Sequence, residues 1–83
     1  MLLITNTSTF HTIAQALHAT SKQLLMRIDT TKYMVTVVNQ EQGIYRATAK
    51  GQSLQFHVID GYIRSTDKTL TVSLPEVQFF TGE

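Results

Sequence analysis

His57 is preceded by Ser53 and followed by Asp60, a nucleophile, a base and an acid within eight residues. That trio is the combination acyl transfer needs, but the spacing does not assemble it. In an extended strand Ser53 and His57 share a face about 13 Å apart, and Asp60 belongs to Asp60-Gly61, a turn dipeptide. The other histidines, His11 and His18, lie seven residues apart on what reads as a helix. They are about 10.5 Å apart along its axis, too far to share one metal ion. Asp60, Asp67, Glu41 and Glu76 fall at predicted turns or strand ends, so no carboxylate pair forms. Gly43, Gly51, Gly61 and Gly82 are isolated, so no phosphate-cradling loop is present either. The chain is read as non-catalytic, with no metal and no cofactor.

A second constellation is basic. If Arg46, His57 and Arg64 stand side by side on adjacent strands, their like charges invite an anion: a phosphate, a carboxylate-rich protein surface or a nucleic-acid backbone. Lys50, Thr48, Gln55 and Tyr62 extend that candidate partner- or anion-binding site. The competing interpretation is a solvated face on which the side chains splay apart and His57 stays neutral.

These residues need a sheet and something to hold it. Phe10, Ile13, Ala14, Leu17, Leu24, Leu25 and Ile28 fall on one stripe at 100° per residue, the pattern of a single long amphipathic helix. Thr7, Ser8 or Thr9 is the expected N-cap, and Asp29-Thr30-Thr31 the stop. Leu24, Met26 and Ile28 also alternate with polar or outward positions. A helix ending near Ser21, followed by a strand, is therefore the competing reading. Met1–Ile4 reads as a first strand. From Tyr33 onward the chain turns to short β-rich runs: Tyr33–Asn39, Ile44–Lys50, Leu54–Ile59, Tyr62–Ser65, Leu70–Leu74 and Val77–Phe80.

Turn residues set the expected pairing. Asp60-Gly61 as a two-residue hairpin puts Ile59 opposite Tyr62, Val58 opposite Ile63 and His57 opposite Arg64. Gly51-Gln52 as a second such turn puts Ala47 opposite Phe56 and Arg46 opposite His57. A loop at Glu41-Gln42-Gly43 adds Thr36 and Lys32 to the polar face. Tyr45, Ala47, Ala49, Leu54, Phe56, Val58 and Ile63 then form an inner face under the helix, joined by Val35 and Val37. The fold expected is α+β: a strand, one long amphipathic helix, then an antiparallel meander of five to six strands with the helix on one sheet face.

The whole chain limits what such a fold can do. Its 83 residues form one domain, 1–83, with 42% apolar and 16% charged residues, a composition that folds rather than staying disordered. Net charge is +1, weak for a dedicated nucleic-acid binder, so any electrostatic site is local. There is no cysteine, which removes thiol chemistry and fits a reducing, cytoplasmic setting. No membrane segment is read in the sequence, and Asn6-Thr7-Ser8, although a glycosylation sequon, reads as helix capping.

Two functions remain. The favoured one is a small protein-interaction module of the kind used by phage-type inhibitors, occluding an acidic or strand-like partner surface. The alternative is nucleic-acid binding by the same cationic face, with Tyr62 available to stack. Val77, Phe79 and Phe80 form an apolar run near the end of the sequence, which reads as a route to a homo-oligomer if it is not paired within the chain.

Overall fold

Asn6 opens the helix. Its side-chain oxygen accepts a hydrogen bond from the Thr9 backbone N–H at 2.8 Å, satisfying a donor that the first helical turn leaves free. The cap thus falls one residue before the expected Thr7-Ser8-Thr9. The computed structural model describes residues 4–80, and in it α1 spans Thr7–Ala19. The expected first strand lies outside the described residues except for Ile4, which is buried.

Of the two readings of the helix end, the shorter holds. Ser21 adopts a left-handed conformation (φ 61°). The Lys22 N–H bonds the Leu17 carbonyl at 2.8 Å and the Ser21 N–H bonds the His18 carbonyl at 3.0 Å. This pair of backward bonds closes the last turn. The chain then extends into β1 (Leu24–Ile28), so Leu24 and Met26 are core residues of a strand.

Beyond β1 come β2 (Thr31–Asn39), β3 (Ile44–Ala49), β4 (Gln52–Ile59), β5 (Tyr62–Ser65), β6 (Thr71–Ser73) and β7 (Gln78–Phe80). They form one antiparallel sheet in the order β6-β5-β4-β3-β2-β1-β7. The fold is α+β as expected, with seven strands in the sheet where five to six were expected: β1–β6 run as the meander, β7 pairs with β1 instead of continuing it, and α1 lies against β2 and β4.

Consecutive strands β6 and β7 lie at opposite edges, joined only by the single helical turn Leu74–Glu76 and Val77. In a flat sheet of seven strands the two edges stand about 29 Å apart. Ser73 to Gln78 can span at most about 18 Å fully extended. The sheet must therefore curl until its edges approach, and α1 fills the concave side.

Phe10 sits at the centre of that concavity, fully buried. Its ring meets Tyr45 edge-on at 4.9 Å between centroids, Phe79 at 5.2 Å and Phe56 at 6.4 Å. Ile4, Ala14, Leu24, Met26, Val35, Ala47, Val58, Ile63, Leu74 and Val77 complete the core. Ala47 has no exposed surface, and its small side chain gives the aromatic rings space. One hydrogen bond ties the start of α1 to the far hairpin, from the Gly61 N–H to Thr7 Oγ1 at 2.6 Å.

Candidate functional site

The outer face of the sheet carries the residues singled out from the sequence, and the hairpin turns place them. Asp60 and Gly61 both take positive φ (52° and 82°), and the register runs as expected: Ile59 with Tyr62, Val58 with Ile63, His57 with Arg64. The β3–β4 turn is different. Positive φ falls on Lys50 and Gly51 (52° and 81°), so the turn is Lys50-Gly51 and not Gly51-Gln52. Moving a two-residue turn back by one residue shifts the pairing by two. Arg46 therefore lies opposite Gln55, Tyr45 opposite Phe56, and Ile44 opposite His57.

The expected row of three cationic groups is thus not formed. His57 and Arg64 are direct neighbours; Arg46 stands diagonally from His57, opposite Thr36 and Gln55. An even shift leaves every side chain on its expected face. Arg46, Thr48, Lys50, Gln55, Tyr62 and Arg64 are all exposed, and His57 is half-buried. The inner set Tyr45, Ala47, Phe56, Val58 and Ile63 is buried.

The charges follow a simple rule. The strands contain Arg27, Lys32, Arg46 and Arg64, and no aspartate or glutamate. All four alternate with inward residues, so all four stand on the outer face. The carboxylates of the described residues sit in turns and connections: Asp29, Glu41, Asp60, Asp67 and Glu76. Arg27 donates from Nε to the Asp29 carbonyl at 3.1 Å. The Arg46 and Arg64 side chains make no hydrogen bond or ion pair among the described residues. Beside this cationic pair, Tyr62 and Ile59 expose about half their surface (50% and 48%), the largest exposed apolar pair on the sheet.

A cleft of about 450 Å³ opens where the outer face meets the helix side. His11 and Gln15 of α1, the Gln40–Gly43 loop and His57–Ile59 of β4 line it. No local pattern encodes this cleft, because its walls come from three distant segments. His11 is oriented there by a hydrogen bond between its Nδ1 and the Tyr45 hydroxyl, with the two rings stacked at 5.5 Å. Burial pushes the Tyr45 phenol up to about 12, so it keeps its proton. His57 Nε2 is buried with no hydrogen-bond partner among the described residues.

The apolar run Val77-Gln78-Phe79-Phe80 is used within the chain. Val77 and Phe79 are buried and β7 pairs with β1, Leu25 opposite Phe80 and Met26 opposite Phe79. Val77 and Phe79 are thus core residues of this chain, and Phe80 alone of the three is half-exposed.

The described residues contain no group of three or more metal-ligating side chains. No helix among them is long and apolar enough to cross a membrane. No family model, no curated protein and no solved structure matches the chain.

Proposed function

We propose that this chain is a non-catalytic protein-interaction module whose outer sheet face binds an acidic partner surface. One observation carries the reading: every charge borne by a strand is positive, while the carboxylates of the described residues lie in connections. Arg46 and Arg64 have no partners among the described residues, so a carboxylate-bearing surface meets them without breaking a contact seen there. The exposed Ile59 and Tyr62 beside them supply the apolar area that an interface core needs, tyrosine and arginine being the residues most often found at such cores. Occlusion of the partner, the mode of action of phage-type inhibitors, fits a chain of 83 residues in which no catalytic constellation is read. A net charge of only +1 favours a patch matched to a protein over a track for a long polyanion.

Titration of the folded protein with poly-L-glutamate and with duplex and single-stranded DNA, each at two salt concentrations, tests this. The expected result is binding to the acidic polypeptide that weakens with salt and is lost in the Arg46→Glu, Arg64→Glu double variant. Polypeptide binding indifferent to the two reversals sinks the proposal. Tighter binding to DNA, with a steep salt slope, replaces it by the nucleic-acid reading.

A further inference from the structure

We propose that the cleft between α1, the Gln40–Gly43 loop and β4 receives a carboxylate side chain of the partner, an aspartate or glutamate, with His11 and His57 as the groups that meet it. The proposal rests on the acidic-partner reading and deepens it by naming the anchoring subsite. The cleft and the cationic face share His57 and Ile59, so a partner lying across Arg64 reaches both.

Three observations converge on an acceptor ligand. First, the tautomer in which the Tyr45 O–H donates to His11 Nδ1 leaves the imidazole proton on Nε2. When the imidazole is charged, both nitrogens carry protons. In that tautomer, as in the imidazolium, Nε2 is a donor, and it makes no hydrogen bond of its own among the described residues. Second, His57 lines the same cleft and its Nε2 is unpartnered and closed to solvent, so a carboxylate reaches it only by displacing the groups that cover it, and satisfies it in doing so. Third, Gly43 leaves His11 its place. A Cβ at that position would come within 3.3 Å of His11 Cε1, and the backbone there is left-handed (φ 65°).

The lining is otherwise suited to a small polar group. Gln15, Gln40 and Gln42 offer amide donors, and Val58 and Ile59 form an aliphatic wall for the methylenes of a glutamate. Glu41 is the one charged group of the lining that opposes an anion. It is exposed, and its backbone N–H is held by Asn39 Oδ1 at 3.1 Å. Removing its charge should therefore strengthen the binding of a carboxylate.

Acetate is the probe. The imidazole nitrogens of the ¹⁵N-labelled wild-type protein are followed by NMR during an acetate titration, against chloride at the same ionic strength. The expected result is a saturable shift of His11 and His57 with acetate only. Glu41→Gln should tighten acetate binding about two- to fivefold, and His57→Ala should weaken it about tenfold. Imidazoles that do not move, or that respond equally to chloride, overturn the proposal on the wild-type protein alone. If poly-L-glutamate still binds through Arg46 and Arg64 in that case, the cleft is discarded and the face reading stands. If acetate saturates the cleft while poly-L-glutamate ignores the arginine reversals, the subsite stands and the face reading falls.

Discussion

The Tyr45 hydroxyl and His11 Nδ1 are hydrogen-bonded to each other, joining the middle of the sheet to the first turns of the helix across the edge of the aromatic core. Tyr45→Phe removes the partner of a half-buried imidazole nitrogen while leaving the packing volume almost unchanged. The expected loss is about 1–2 kcal/mol. It should appear as a lower urea midpoint with an unchanged slope.

The same phenol predicts behaviour in alkali. Its folded pKa of about 12 lies above its ordinary value of 10.0, so the folded state binds the proton more tightly than the unfolded one. The corresponding stability is complete below pH 10 and is lost as the pH rises through 12. Stability measured across this window should fall less steeply in Tyr45→Phe than in the wild-type chain.

Asp67 gives the opposite prediction in acid. Its carboxylate accepts from the Thr69 N–H at 3.0 Å, the Ser65 hydroxyl at 2.7 Å and the Thr69 hydroxyl at 2.7 Å, which hold its pKa down at about 2, against an ordinary 3.8. The stability it contributes is present above pH 3.8 and disappears as the pH falls through 2. Asp67→Asn should flatten the acid limb of the stability profile between those values.

Two left-handed residues offer gains. Ser21 and Lys50 hold φ of 61° and 52°, conformations that cost most side chains roughly 1–2 kcal/mol. Ser21→Gly and Lys50→Asn should each recover part of that. A gain of about 1 kcal/mol raises the melting temperature of a domain this size by about 4–8 °C. No increase in either variant would show that these backbones are not strained.

Phe10 sets the scale of the core. Phe10→Ala opens a cavity among Tyr45, Phe56 and Phe79, at an expected cost of about 3–5 kcal/mol. That is a large part of the roughly 4–12 kcal/mol available to a chain of this length. Circular dichroism at 37 °C should show substantial unfolding.

The same two left-handed residues explain what the sequence concealed. Asp60-Gly61 announces its hairpin because aspartate and glycine both tolerate positive φ, and its pairing was readable in full. At Lys50-Gly51 a lysine occupies the first left-handed position, so the residue types point to Gly51 as the first turn residue when it is the second. A two-residue shift of pairing preserves the inner and outer faces but separates Arg46 from His57. Ser21 hides the helix end likewise, since glycine is the usual signal there and Leu24, Met26 and Ile28 satisfy both helical and strand periods. The cleft, the His11–Tyr45 bond and the β1–β7 pairing join segments far apart in sequence, and no local pattern encodes them.

The turn that carries the chain from β6 across to β7 also determines when the sheet can be completed. Until Gln78–Phe80 arrives, β1 has an open edge at Leu25–Arg27 and the core lacks Val77 and Phe79. β1 and β7 close the longest loop in the sheet, the slowest kind of contact to form. A nascent or partly unfolded chain therefore passes through a stage with a sticky, unsealed seam. Amide exchange along β1 should be faster than along β3, and that seam is where proteases and aggregation would first find the molecule.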